Sequence, residues 1–350
     1  MNETKKPLIS FCIPTFNRCV KTFELVTNIL KYKDNDIEVV VLDNCSTDQT
    51  NKLLESVVDD RFRFISNSAN IGGILNILKV LTLGKGEYSF LCLDKDFIHV
   101  SEIPNLISRI KEDKDVIFGY CSLNLNEGLS DTFNEKGYNS VLNMAYLGKH
   151  PSGNFYKTEL YKASKVVRRL FEEESKFEFT FEIINAEFAM KGKSRIVNLS
   201  LFFTETKEDC SKVVSFTYNN SNLYFEPHKR FSEFLVYTKS LNNLNLTEIE
   251  KYKLTKLLYS KALYSATFLY KFILSDQSVC LHHGITTRKV SVIELININI
   301  KFSLLFFKEN IVFINVFQKC IIWFFSHKVN VILILNKFNF TSIKNKLRVK

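Results

Sequence analysis

Residues 88–98 read YSFLCLDKDFI. The apolar run Phe90-Leu91-Cys92-Leu93 belongs inside a sheet, where an unpaired charge is expensive. It stops at Asp94-Lys95-Asp96, so something must hold two carboxylates at the end of a buried strand. Alternate residues of an extended segment face one side, which predicts that Asp94 and Asp96 point together while Lys95 points away. Their Cα atoms would stand roughly 6–7 Å apart at about 3.3 Å per residue. A hard divalent cation, Mn2+ or Mg2+, suits such oxygens and usually keeps phosphate or water in its other positions. A D-x-D alone is a weak signal, common on surfaces. Its place in the chain gives it weight.

Outward from this stretch, apolar runs alternate with helical spacing. Leu8–Ile13, Ile37–Leu42, Phe62–Ile65 and Tyr88–Leu93 read as strands, and residues 19–32, 47–58 and 72–84 read as helices. The run IEVVVL (37–42) is nearly continuous in apolar residues, as a parallel strand covered on both faces should be. Ser46-Thr47-Asp48-Gln49 carries a capping-box pattern for the middle helix. Repeated β-α-β units predict a doubly wound α/β domain, in which ligands sit at the carboxyl ends of the strands. Those ends read PTFNR (14–18), DNCSTD (43–48), SNSANIGG (66–73) and DKD (94–96), so four polar loops would share one rim. Strand ends are often polar simply because loops are solvated. Two carboxylate-bearing ends on one rim weigh against that bland reading.

From about residue 100 the pattern weakens. Helix is expected at 101–114 and 177–191, strand at 115–120 and 194–203, and a loop at LGKHPSGNFYK (147–157) leading into a strand or helix. The first domain is assigned to 1–210, and a mainly helical, basic region to 211–350. Residues 251–350 hold 16 Lys/Arg against three acids, a net of +13, so the total of +10 leaves residues 1–250 at −3. Such asymmetry points to a polyanionic partner, and the Ile, Phe and Leu content beyond 291 favours an anionic membrane surface over nucleic acid. In 301–326, Lys301, Lys308, Asn315, Lys319 and Ser326 recur at near-heptad spacing, which predicts a polar stripe along one apolar helix. No apolar run reaches the roughly 18–20 residues of a spanning helix. The eight cysteines stand singly, with neither a CxxC nor a signal peptide, which reads as reduced thiols in a cytoplasmic protein peripheral to the inner face of the membrane.

LISFCIPTFNR, IEVVVLDNCSTDQT and NIGGILNILKVLTLGKGEYSFLCLDKD follow one another in the order and spacing of family 2 glycosyltransferases, and the chain resembles that family over its first 100 residues, more loosely to about 200. It is similar to the bacterial enzymes of capsular polysaccharide and O-antigen synthesis. The resemblance implies the GT-A fold, a Rossmann-like and mostly parallel sheet with flanking helices. It implies inverting, metal-dependent transfer of a sugar from a nucleotide diphosphate, UDP before dTDP, to a hydroxyl of a glycan or lipid-linked acceptor.

The resemblance also implies roles. Pro14, Thr15, Phe16 and Arg18 would line the base and ribose, with Asp43 and Asn44 at the base edge. Asn70, Gly72 and Asn76 fall in the loop and helix before the fourth strand. Asp94 would meet the ribose or sugar, and Asp96 the metal, Mn2+ or Mg2+. Relatives carry an acidic pair before a glycine; counted back from Gly192, those slots hold Thr180 and Phe181, so Glu182 and then Glu178 are the candidate bases. His150 and His228 are candidates for the acceptor or diphosphate side. Lys95 departs from the common Asp-Asp-Asp, and with the displaced base it raises a second reading, an impaired scaffold subunit. A nicotinamide dehydrogenase is disfavoured, because Pro-Thr-Phe-Asn stands where a glycine-rich turn belongs. No nucleic-acid motif is present.

Overall fold

The computed structural model of the protein describes residues 6–122, 129–172, 180–203, 223, 225–282 and 284–335. The chain divides into two compact units, 1–205 and 206–350.

The first unit opens with the parallel strands β1 (Ile9–Thr15), β2 (Ile37–Asp43), β3 (Phe62–Ser66) and β4 (Tyr88–Leu91), alternating with helices α1 (Cys19–Ile29), α2 (Thr50–Glu55) and α3 (Gly73–Thr82). There follow β5 (Phe97–Ile98), α4 (Ile103–Lys111), β6 (Val116–Cys121), β7 (Thr132–Asn134) and α5 (Tyr138–Met144). The unit continues through β8 (Asn154–Lys157), α6 (Thr158–Lys162), α7 (Lys165–Glu172), α8 (Thr180–Ala189), β9 (Lys193–Val197) and β10 (Phe202–Phe203). Eight strands form one sheet in the order β3-β2-β1-β4-β8-β6-β9-β7, and β5 pairs with β10 in a second. β1 pairs parallel with β2 and β4, and β2 with β3, whereas β8 runs antiparallel to β4 and β6. The expected mostly parallel α/β architecture is therefore present.

Every residue of β2 is buried. Even Glu38 is accommodated, since it accepts from Ser10 Oγ at 2.5 Å, Arg63 Nε at 3.1 Å and Gly86 N at 3.2 Å. That set of donors offsets the desolvation of its charge. Phe90 is central to the core, with its ring 5.4 Å from Phe11, 6.1 Å from Phe155 and 6.1 Å from Phe202, centroid to centroid.

Two local expectations change. The capping box before α2 does not form. Asp48 instead accepts Thr50 N at 3.0 Å and Cys19 N at 3.2 Å, tying the starts of two helices. The expected strand 194–203 breaks into β9 and β10, which belong to different sheets.

The described part of the second unit is helical: α9 (Pro227–Ser240), α10 (Glu248–Tyr264), α11 (Tyr270–Ser275), α12 (Gln277–His282), α13 (Val292–Lys308) and α14 (Val316–Leu335). A capping box opens α10, with Thr247 Oγ1 accepting from Glu250 N and Glu250 returning to Thr247 N. The single helix expected over 301–326 is two helices, α13 and α14, and the polar stripe is split: Lys301, Lys308 and Asn315 are exposed. Lys319 and Ser326 are buried, the lysine ammonium donating to the Glu309 carbonyl at the end of α13. No helix among the described residues is long and apolar enough to cross a membrane.

Candidate active site

The strand order fixes where a site can form. The chain leaves β1 toward β2 and β3, then crosses back to place β4 on the other side of β1. In open α/β sheets such a reversal opens a crevice at the carboxyl ends of the strands. Thr15 ends β1 and Asp94 follows β4, so the two meet there.

Asp94 is buried and fully engaged. Its Oδ1 accepts Arg18 Nη1 at 2.8 Å and its Oδ2 accepts Thr15 Oγ1 at 3.0 Å, while Thr15 also bonds Thr22 at 2.8 Å. Burial pushes this carboxyl above its ordinary pKa, and Arg18 and Thr15 oppose the shift. Arg18, expected to line the ribose, is thus the counter-ion of Asp94.

The alignment expected of Asp94 and Asp96 changes for a backbone reason. β4 ends at Leu91, and Asp94-Lys95 form a turn that Asp96 N closes by donating to Leu93 O at 2.9 Å. Period-two alternation therefore stops before the motif. Asp94 turns to β1, and Asp96 turns to the loop before β8. Lys95 is exposed, as its position predicted.

Asp96 is also buried. Its Oδ2 accepts Ser152 Oγ at 2.5 Å and lies 3.5 Å from His150 Nδ1. Ser152 Oγ in turn accepts Leu93 N at 2.9 Å, clamping the turn to the loop. His150 Nδ1 accepts Ser152 N at 3.2 Å, which leaves the proton of the neutral ring on Nε2. Burial lowers the imidazole pKa, against the pull of Asp96. Asp96 Oδ1 makes no hydrogen bond among the described residues. A buried carboxylate with one free oxygen fits a hard cation whose other ligands are phosphate and water. No group of three or more His, Cys, Asp or Glu that could hold a metal occurs among the described residues.

The remaining candidates fall into three groups. Asp43 accepts Ser46 N at 2.9 Å and also Ser46 Oγ, and Asn17 (φ 54°) bridges to Thr47 N at 2.8 Å. These bonds lock the first two loops together. Phe16 presents its ring to solvent at 41% exposure, whereas Pro14 is buried in β1 itself.

Asn44, expected at the base edge, is buried and turned into the 67–73 loop. Its Oδ1 accepts Asn67 Nδ2 at 3.1 Å and Ile71 N at 3.0 Å, and its Nδ2 donates to Asn70 at 2.8 Å. Asn70 then takes Gly72 N at 2.9 Å, and Gly72 has φ 87°, a left-handed turn that favours glycine. Asn76 donates to Leu42 O at 3.0 Å, so this network buttresses the rim from behind.

Glu182, in the first turn of α8, is buried, with Leu147 N at 3.0 Å and Gly148 N at 2.6 Å from its two oxygens. It holds the loop that carries His150 and Ser152. Glu178 lies outside the described residues. His228 is exposed in the first turn of α9, in the second unit.

Sequence reasoning missed Ser152, Thr22, Ser46 and Asn67. Ser46 lies in the DNCSTD loop already singled out, but nothing in the sequence links Ser152 to a partner 56 residues away.

Residues 10–163 match the profile described as glycosyl transferase family 2. Over 174 residues the chain is 26% identical to GalNAc(5)-diNAcBac-PP-undecaprenol beta-1,3-glucosyltransferase of Campylobacter jejuni, covering 48% of this chain and 56% of that protein. Over 115 residues it is 31% identical to abequosyltransferase RfbV of Salmonella typhimurium, covering 31% and 34% respectively. The chain thus spans about half or less of the length of these curated relatives. S. aureus TarS 1–349, solved with UDP-GlcNAc, superposes with a TM-score of 0.54 at 19% identity, over 85% of this chain and 80% of that one. That likeness shows the fold. Within residues 10–163 the chain is therefore similar to glycosyl transferase family 2.

Proposed function

We propose that the chain is an inverting, metal-dependent glycosyltransferase. It moves a sugar from a nucleotide diphosphate, UDP before dTDP, to a hydroxyl of a glycan or lipid-linked acceptor in bacterial surface-polysaccharide synthesis. The relative named for an undecaprenol-linked substrate supports that acceptor class, and the basic second unit supports a station on an anionic membrane. The observation that carries the reading is Asp96, a buried carboxylate with one oxygen unpaired among the described residues, on the rim beside the β1–β4 crevice.

In this reading Asp96, kept in place by Ser152, would hold Mn2+ or Mg2+. A cation bound there supplies neutralisation of charge on the departing diphosphate. Phe16 offers a ring face to the base. Asp94 holds Arg18 across the crevice, so the guanidinium sits beside the place where a ribose or phosphate would lie. His150 presents Nε2–H, a neutral donor, to the diphosphate or acceptor side. Glu182 positions the 145–153 loop by its two amide contacts. A second reading, the impaired scaffold, is favoured by exposed Lys95 and by Glu182 already accepting two amides.

Release of UDP from UDP-sugars, measured with and without Mn2+, decides between them. Asp96→Ala should cost about 100-fold or more in turnover, the scale of several kcal/mol of lost charge stabilisation. Unchanged turnover would sink the catalytic reading.

A further inference from the structure

The helices α13 and α14 carry apolar side chains on their outer faces in addition to those they bury, such as Phe302, Phe306 and Ile322. Ile293, Ile300, Leu304 and Phe307 recur at steps of seven, four and three, which places them on one face of α13. That face is the outer one, with Ile293 72% and Leu304 67% exposed. On α14, Phe317 is 73% and Phe324 52% exposed. Polar groups share the inner faces with the buried apolar ones. Asn330 Nδ2 donates to Asn299 Oδ1 at 2.9 Å, Thr267 to Asn330 at 3.2 Å, Ser260 and Ser326 meet at 2.7 Å, and His327 Nε2 meets Tyr259 OH at 2.8 Å. In water such a layout forfeits apolar burial on the outside and uses polar groups within. Scattered exposed apolar residues need no explanation, but two adjoining helices built this way do.

Charge selects the occupant. Lys301 and Lys308 are exposed, each next in sequence to an outward apolar residue, Ile300 and Phe307. Lys328 lies 5.8 Å from the Phe324 ring and Lys256 4.9 Å from that of Phe325. Residues 292–335 contain only two acids, Glu294 and Glu309, and Glu294 is paired with Arg288 at 2.8 Å. A second copy of the chain would set these lysines against like charge, whereas anionic headgroups complement them. α14 buries Lys319, Ser326, His327 and Asn330, and no helix among the described residues is long and apolar enough to cross a membrane.

We propose that the outer faces of α13 and α14 lie in the interface of an anionic lipid leaflet, their apolar side chains at the acyl boundary and Lys301, Lys308 and Lys328 among the headgroups. This deepens the membrane-side reading given above and rests on it for the location of the acceptor. The geometry is that of an interfacial amphipathic surface.

Trp323 is the only tryptophan of the chain, is partly exposed on α14, and donates to Ser303 Oγ at 2.8 Å. It reports on this surface directly. The full chain is mixed with vesicles of phosphatidylcholine alone or with about one quarter phosphatidylglycerol, and read by flotation and Trp323 emission. Flotation with the anionic vesicles, a blue shift of emission and weakening in high salt are expected. Each of Lys301→Gln, Lys308→Gln and Lys328→Gln should weaken binding about five-fold, from about 1 kcal/mol per basic residue near such a surface. Leu304→Glu combined with Phe324→Glu should abolish it. Should that variant fail to fold, the lysine series, which replaces only exposed charges, still decides. Absence of flotation from both vesicle types overturns the proposal. So does a dimer in light scattering that Leu304→Glu dissociates while no lipid binds, which would assign the face to a second copy. A protein that floats yet gains no thermal protection from UDP keeps this inference and refutes the donor reading.

Discussion

Arg18 and Asp94 lie 76 positions apart, yet they form the most buried ion pair on the rim. Truncation to Arg18→Ala leaves Asp94 desolvated with only Thr15 as a partner, and breaking a buried pair on one side costs about 3–5 kcal/mol. A drop of that size in chemical denaturation, against a far smaller one for Lys95→Ala, is the expected outcome. Glu182 admits a sharper test, because a clamp and a base fail differently. Glu182→Gln keeps a side-chain carbonyl that can accept from Leu147 N or Gly148 N, but it cannot take a proton from an acceptor hydroxyl. If Glu182 is the clamp, Gln should retain most turnover and Ala should lose it, together with about 1–3 kcal/mol of stability from the two unsatisfied amides. Equal loss in both variants at unchanged stability would instead make Glu182 the base. Asp94, Asp96 and Asp43 were legible as rim carboxylates from their place after apolar runs. The distant partners were not, since Arg18 and Ser152 are chosen by the fold, and local pattern carries no information about a contact many tens of residues away.

At the scale of elements, what period could specify was read correctly for β1 to β4 and α1 to α3, to within a few residues at most ends. The readings that failed did so where tertiary contacts override periodicity. The DKD turn is one case, and the 301–326 stripe is another: a lysine that looks solvated by spacing is satisfied by a helix C-terminus, where the macrodipole favours a cation. α14 also carries a titratable group in its inner face. Burial pulls the His327 imidazole down to about 4. The folded ring is therefore neutral, while the unfolded chain takes up a proton below about pH 6.5. Its contribution to stability is full above that pH and is lost as pH falls from about 6.5 toward 4. Melting curves across that window should show a falling transition in the wild type and a flatter one in His327→Gln. Identical slopes would mean that the ring is not desolvated.

The whole molecule joins an α/β unit, whose core gathers on Phe11, Phe90 and Phe155, to a helical unit whose core gathers on Phe234, Tyr259 and Phe306. The charge follows the same division, with the positive excess in the last hundred residues. That asymmetry was visible in composition; the exposed apolar faces of α13 and α14 were not, because spacing reveals a face and not which side of it is covered. Two separate cores make a single cooperative transition unexpected, and two calorimetric transitions are predicted for the full chain. They can be assigned independently. UDP with Mn2+ at about a hundred times its Kd adds about 2.7 kcal/mol to whichever unit binds it, and so should raise one transition only. Asp96→Ala should remove that rise and leave the other transition in place, whereas His327→Gln should alter the acid response of the other and leave the nucleotide effect intact. One transition that moves with both variants would show that the units unfold as a single body, and would then require the effects of lipid and of nucleotide to be measured as linked.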